Sequence, residues 1–520
     1  MTLYDEVAYP GRVFSATQPD RLAAIALLHG LGPAPVEACR ILELGCGDGT
    51  NLIAMAHAWP GTQCVGIDVA ERPIERGRAR VQGLRLANIR LDCLDVRDVP
   101  EDAGTFDYIV AHGLWSWVPS DARAATLRVI ARHLAPDGVA FISYLTYPGS
   151  HLRNLLRDML LFHGRDARSA QERVARAREL ASMLTASPAD ATGQRAFPRL
   201  LATDLADLDD GVLFHDWLAD VNVPVTVTEF AAFAAEHDLA FLGEAEYHAT
   251  RYEHDPDLAA VRGALVELEK RSVLLKEQYL DFLRCRTFRQ TLLCHAALDH
   301  DPMARAERLE RVAIASALRP ESEEPDIRSR ARERFRTPGR KSLETDHPAV
   351  KAALVLLGDA WPAWIPFPEL LRQASAAARR ADADEAADRS TLAGVLFQCL
   401  AANYVEIHAA PVPFTMRPGE RPRASELARL ALTDGVLVPT LRAEYVRMDD
   451  ELGAGLLRLL DGTRRRADLV RGLASLIESG TATLTAENQR VTDPARVRRI
   501  LERDLDDKVA GLARLALLIE

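Results

Sequence analysis

Glu43, Gly45, Gly47 and Gly49 alternate through the run Ile41-Leu-Glu-Leu-Gly-Cys-Gly-Asp-Gly49, which continues into Thr50 and Asn51. Glycines at this spacing let a backbone turn approach a ligand with no side chain in the way, and a helix opening just beyond offers free N–H groups. Asp68 stands 19 residues after Gly49, where a carboxylate accepts both hydroxyls of a ribose. Asp95, further along, is placed to accept from an adenine amino group. Jointly these residues describe a nucleoside site.

The elements that must position them follow from the apolar pattern. Arg40–Leu44 reads as a strand, the glycine turn follows, and Leu52, Met55, Ala56 and Trp59 recur at helical spacing. Strands are predicted at 63–67, 89–91, 106–111 and 138–144, and helices at 73–84 and 121–134. Such alternation builds a parallel sheet with helices on both faces and ligands beyond the carboxyl ends of the strands. A dinucleotide fingerprint would carry a third glycine where Thr50 stands. Glu43 and Asp48 instead suit a ligand with a methionine tail and a sulfonium cation, so the expected cofactor is S-adenosylmethionine. No metal site is expected.

The motifs extend to a family. Ile41–Asn51 resembles motif I of class I methyltransferases, Val65-Gly-Ile67-Asp68 their ribose-binding strand end, and Cys93-Leu-Asp95-Val96 their adenine loop. More closely, the chain resembles bacterial methyltransferases with a methyltransferase regulatory domain, including the rickettsial-type protein-lysine methyltransferases acting on outer-membrane proteins. The segments that carry this are Tyr4-Asp5-Glu6-Val7, Pro19–Leu22, Ala111–Pro119, Ser143–Gly149, Phe214-His215-Asp216 and Phe288–Cys294. The family pattern has Asn where this chain has Leu145 and Trp where it has Ser150. The cofactor-binding set is therefore Glu43, Gly45, Gly47, Asp48, Asn51, Asp68, Asp95, Val96 and His112.

Methyl transfer from a sulfonium is an in-line displacement, which mainly requires alignment and exclusion of water. A lysine acceptor must also lose a proton from an amine of reference pKa about 10.4, and aromatic walls attract its cation. Tyr4, Trp115 and Tyr144 are the candidate catalytic residues, with Tyr4 as an N-terminal lid. The chain reads Ala111-His112-Gly113-Leu114 after the fourth strand, without the Pro-Pro-Tyr/Phe clamp of planar-nitrogen methylation, and has no Pro-Cys for cytosine C5 chemistry. The leading expectation is lysine methylation of a protein substrate. The alternatives are a small-molecule or peptide-natural-product methyltransferase, motivated by Leu145 and Ser150, and a non-catalytic S-adenosylmethionine-binding regulator.

Lys plus Arg is 64 and Asp plus Glu is 75 among 520 residues, a net charge of −11 that repels phosphate backbones. No nucleic-acid partner is expected. No apolar run approaches the roughly 20 residues of a membrane span, and the acidic start is unlike a signal peptide. The seven cysteines form no CxxC pair and read as reduced thiols. A cytoplasmic protein is expected.

The fold class expected is α/β, a Rossmann-like class I methyltransferase sheet with a helical insert, followed by mostly helical, winged-helix-like C-terminal domains. The methyltransferase domain is expected in two parts, 1–149 and 222–298, around an insert at 150–221 carrying apolar stripes (Leu152, Leu155, Leu156, Met159, Leu160; Val174, Ala177, Leu180, Leu184) suited to a homodimer contact. Thr226 and Glu229 form a capping box, a long helix covers 258–284, and a last strand covers 286–295. A charged connector or exposed hairpin spans 319–346. A winged-helix-like domain is placed at 299–415, its third helix lacking the polar row that reads a DNA groove. The final domain, 416–520, carries Arg464-Arg465-Arg466 on its surface.

Overall fold

The computed structural model describes all residues except 1–2, 187–195, 254, 340, 379–383, 487–488 and 520. The chain divides into two compact units. The first comprises Met1–Arg12, Ile25–Ile53 and Gly61–Arg305; the second comprises Val13–Ala24, Ala54–Pro60 and Ala306–Glu520.

The first unit is built on a seven-stranded sheet. Helices α1 (Leu3–Glu6) and α2 (Pro19–Leu28) precede β1 (Arg40–Leu44), α3 (Thr50–Ala58), β2 (Gln63–Asp68), α4 (Glu71–Gly83), β3 (Ile89–Cys93), β4 (Phe106–Ala111), α5 (Ser120–His133) and β5 (Leu134–Leu145). These five strands pair in parallel. The central strands β1 and β4 are aliphatic and buried on both faces, which is what covering helices demand, while β3 at the sheet edge is only partly buried. The insert follows as α6 (Gly149–His163), α7 (Ala170–Ala186), α8 (Ala196–Leu205) and α9 (Asp210–Val212), the last running into a π-helical turn, Leu213–Trp217. Then come α10 (Val227–Ala235), β6 (Leu239–Glu244), α11 (Arg262–Arg271), α12 (Val273–Arg284) and β7 (Phe288–His295).

Strand order is β3-β2-β1-β4-β5-β7-β6, and β7 lies antiparallel to both β5 and β6. The capping box forms as expected: the Glu229 N–H donates to Thr226 Oγ1 at 3.1 Å, and the Thr226 N–H donates to Glu229 Oε2 at 2.8 Å. The single helix expected over 258–284 is broken, because Ser272 is extended and its hydroxyl caps α12 through the Leu275 N–H.

Alternation along the strands decides which face each side chain takes. Ala140, Ile142 and Tyr144 of β5 share one core cluster with Ile109, Ala111, Trp115, Ile130 and Phe230. The insert has its own core, in which Leu156 and Leu160 meet Val174, Ala177, Leu213, Phe214 and Trp217. Leu152 and Leu155, from the same stripe, are 37% and 43% exposed.

A buried ionic cluster joins β6, β7 and α12. Arg289, fully buried, bonds Glu244 at 2.8 Å, Glu277 at 2.9 Å and Asp281 at 2.8 Å. Lys276 adds a second cation, 2.6 Å from Glu277. Burial raises the Asp281 carboxyl to about 6 against the pull of Arg289. Glu277 falls to about 2, since Lys276 and Arg289 outweigh its burial.

In the second unit β8 (Ala313–Ala315) is followed by a small sheet of β9 (Arg319–Pro320), β10 (Glu333–Arg336) and β11 (Ser342–Thr345) where a connector or hairpin was expected. Next come α13 (Pro348–Ala360), β12 (Ile365–Pro366), α14 (Phe367–Ala378), α15 (Glu385–Ala401) and β13 (Glu406–His408). Strands β12 and β13 flank β8. The helix-strand-helix-helix-strand order is that of a winged helix. The remainder holds α16 (Glu426–Ala431), the hairpin β14 (Leu437–Pro439) and β15 (Tyr445–Arg447), α17 (Glu451–Leu459), α18 (Arg466–Glu478), β16 (Thr485–Ala486), β17 (Gln489–Arg490) and α19 (Pro494–Arg514), around a core that includes Leu456, Leu457, Leu473, Leu501 and Leu512. Among the described residues no helix is long and apolar enough to cross a membrane.

Candidate active site

The turn after β1 is held from below. Gly45 and Cys46 both donate their N–H to the Ile67 carbonyl, at 2.9 and 3.0 Å. Gly47 has φ +57°, a conformation side chains disfavour, and open space where a Cβ would stand. Its N–H donates to Asp68 Oδ2 at 2.9 Å, while the Ala70 N–H donates to Oδ1 at 2.8 Å. Asp68 is thus fixed at the carboxyl end of β2, and burial raises its pKa above the usual carboxylate value.

Glu43, 4% exposed, receives the Asn51 side-chain N–H on Oε1 at 2.8 Å. Its second oxygen is buried with no partner among the described residues, and burial raises the group to about 7. An orphaned acceptor beside an open glycine turn is the pattern a polar, cationic ligand completes. These residues therefore fit S-adenosylmethionine: Gly45 and Gly47 give access, Glu43 gives an acceptor, and Asp68 retains lone pairs for a ribose. When bound, the cofactor supplies an electrophilic methyl group.

Other members of the expected set have different tasks. Asp48 corrects the expectation that it faces the cofactor's cation. Its Oδ1 accepts from the Thr50 N–H at 3.1 Å and from the Thr50 hydroxyl at 2.7 Å, and Oδ2 pairs with Arg80 at 3.1 Å, so it caps α3 and ties it to α4. Asp95 caps the short turn at Val96 and is gripped by Arg97 at 2.7 and 3.0 Å, a bond that lowers its pKa. Val96 is buried beside it. His112 is enclosed near Phe141 and Phe288, and burial holds its pKa down to about 4.

Of the three candidate catalytic residues, Tyr4 alone lies on an element tied to the chain just beyond Asp68. Helix α1 is pinned to α4, as the Arg72 N–H donates to Asp5 Oδ1 at 3.1 Å and its guanidinium to the Asp5 carbonyl at 2.9 Å. The Tyr4 phenol feels the charges of Asp68 and Asp216, and burial, foremost, raises its pKa. Trp115 and Tyr144 are corrections. Tyr144 is wholly buried, stacked on Phe230 at 4.0 Å, with its hydroxyl 3.0 Å from that of Thr291. Trp115 is 2% exposed and meets Phe230 edge-on at 5.3 Å. Both stiffen the core where an acceptor wall was expected.

Residues absent from the expected set stand beside Tyr4. His215 stacks on Tyr4 with ring centres 4.0 Å apart and planes 4° from parallel, and its Nε2 lies 2.7 Å from the Val7 carbonyl. Tyr9 meets His215 edge-on at 5.9 Å and directs its hydroxyl to Asp216 Oδ2 at 3.4 Å. Arg153 donates to the Asp216 carbonyl at 2.8 Å and lies over the Trp217 ring at 4.4 Å. Phe214-His215-Asp216 was among the family-matching segments, but nothing local in it announces contact with the N-terminus.

The fold agrees with the sequence comparisons. Residues 41–138 match the methyltransferase domain model. This chain is a class I S-adenosylmethionine-dependent methyltransferase. Within that family it carries a match to the "predicted methyltransferase regulatory domain" over 209–295 and to the "PKMT, C-terminal winged helix domain" over 420–517. The latter falls in the last of the expected winged-helix-like C-terminal domains. The methyltransferase is 28% identical to an uncharacterized protein of Rickettsia prowazekii over 99% of this chain and 93% of that one. It is 36% identical to a second uncharacterized protein of that organism, covering 44% of this chain and 91% of the other. The solved structure of PKMT2 from Rickettsia typhi in complex with AdoHcy superposes with a TM-score of 0.87, at 26% identity, over 98% of this methyltransferase and 100% of that chain.

Proposed function

We propose that this methyltransferase transfers the methyl group of S-adenosylmethionine to lysine side chains of a protein substrate. The observation that carries the reading is likeness over the full length to PKMT2, C-terminal part included. Methyl transfer itself needs only the sheet domain, and the additional residues suit a large acceptor. The chain's own contribution is alignment and exclusion of water. Glu43 and Asp68 orient the donor, and Tyr4 closes the edge beside it.

The small-molecule alternative loses its motive. Leu145 and Ser150 are both fully buried, Ser150 donating its hydroxyl to the Thr287 carbonyl at 3.1 Å, so neither lines an acceptor cleft. Incubation with methyl-labelled cofactor and bacterial extract, followed by acid hydrolysis, is expected to yield labelled methyl-lysine. Label confined to metabolites would overturn the reading.

The domain plan 1–149 with 222–298, insert 150–221, 299–415 and 416–520 is part of the proposal, as is cytoplasmic location. So is a homodimer through the insert, on which Phe162, Met183 and Leu200 are 68%, 59% and 63% exposed. Light scattering on the purified protein tests it, and a monomer at working concentration would remove it.

A further inference from the structure

Asp216 is a half-buried carboxylate at the acceptor edge that makes no ion pair among the described residues. Its contacts are the Tyr9 hydroxyl on one oxygen and Arg153 on its backbone carbonyl. Arg153 and Arg12 lie near enough to pull its pKa down, yet burial dominates and keeps it above the usual value. Tyr9 and the neighbouring His215 flank it, and Tyr4 stacks on His215 with ring centres 4.0 Å apart. Burial lowers the pKa of His215. Tyr4 sits on a helix tied through Asp5 to Arg72, just beyond Asp68 at the end of β2.

A carboxylate lacking a salt-bridge partner, flanked by aromatic side chains, is chemistry that attracts an alkylammonium ion. The ring faces attract the cation and the carboxylate accepts its charge-assisted hydrogen bonds. Resting on the lysine reading above, we propose that Tyr4, Tyr9 and Asp216 form the receptor for the acceptor's ammonium group and select a cationic amine over a neutral acceptor. The receptor is assembled by docking the N-terminal segment on the π-helical turn. Gly211 is part of that docking, since a Cβ there would lie 2.2 Å from the Ala8 carbonyl. The receptor binds and orients the amine, and an amine that has gained a methyl remains a cation that the same groups hold.

The test uses the full chain saturated with S-adenosylhomocysteine and titrated with n-butylammonium, a lysine side-chain mimic, by ligand-observed NMR, with n-butanol as the neutral control. Butylammonium is expected to bind and butanol not. Asp216→Asn is expected to weaken butylammonium roughly tenfold or more, as the loss of a charged acceptor requires, with S-adenosylhomocysteine affinity held within about twofold. Tyr4→Leu, which removes an aromatic face, is expected to weaken it several-fold and serves should the first variant not fold. Butylammonium affinity unchanged in Asp216→Asn or in Tyr4→Leu, or butanol binding as well as butylammonium, would overturn the receptor. Asp216-dependent binding of butylammonium in a protein that labels no lysine would instead sink the lysine reading and leave the receptor standing.

Discussion

The two halves of the candidate site are made in different ways. The cofactor half comes from one stretch of chain, Glu43 to Val96, in which each functional residue sits at the end of a strand or in the turn beyond it. The acceptor half is assembled across the chain: Tyr9 reaches Asp216 over 207 residues, and His215 reaches Val7 over 208. The first half rests on backbone geometry, with glycine turns and amide donors that few sequences can supply. The second depends on docking an N-terminal segment against a π-helical turn, a surface that can change while the cofactor site stays the same.

The largest expected effect lies outside both halves, in the ionic cluster that joins β6, β7 and α12. Replacing Arg289 with Met leaves Glu244, Glu277 and Asp281 buried without their common cation and is expected to cost about 3–5 kcal/mol. Urea denaturation measures it, and a loss below about 1 kcal/mol would mean that water enters the cluster. Next, Asp68→Ala removes a carboxylate that locks the glycine turn and that we propose holds the ribose, at about 1.5–3 kcal/mol for each bond lost. Calorimetric affinity for S-adenosylhomocysteine checks this, and an unchanged value would show that the ribose lies elsewhere.

The third prediction concerns pH. Glu43 titrates near 4.5 when unfolded and near 7 in the fold, so between these values the unfolded state binds fewer protons. Stability of the cofactor-free protein is expected to fall by up to about 3 kcal/mol as pH rises through this window, with the slope absent in Glu43→Gln. Denaturation curves from pH 4.5 to 7.5 test it. The smallest effect separates core from site: Tyr144→Phe is expected to cost about 1 kcal/mol of stability while the methylation rate is kept. A strong loss of rate with intact cofactor affinity would return Tyr144 to the acceptor wall.

The first half was legible because its chemistry is local. Strand, glycine turn and helix are readable from composition and period, and Asp68 and Asp95 take their places once the strand ends are placed. Asp48 misled because a carboxylate two residues before a helical N–H serves equally well as a cap, and Arg80 lies on the next helix. Trp115 and Tyr144 misled because aromatic residues near a strand end suit both a wall and a core. The alternation of Tyr144 with Ala140 and Ile142 was the signal pointing to the core. His215 and Asp216 stood in a segment marked only by resemblance, since no periodicity shows which distant loop a side chain will meet.

The amino-acid order alone settled a methyltransferase sheet and its cofactor, because hydrogen bonds within a βαβ unit leave little choice of position. Which aromatic residues are shut into the core, and which carboxylates bond a neighbouring helix, emerged only from the folded chain. Those assignments depend on long-range burial and packing, which bring Tyr4 to His215 and shut Tyr144 away from any substrate.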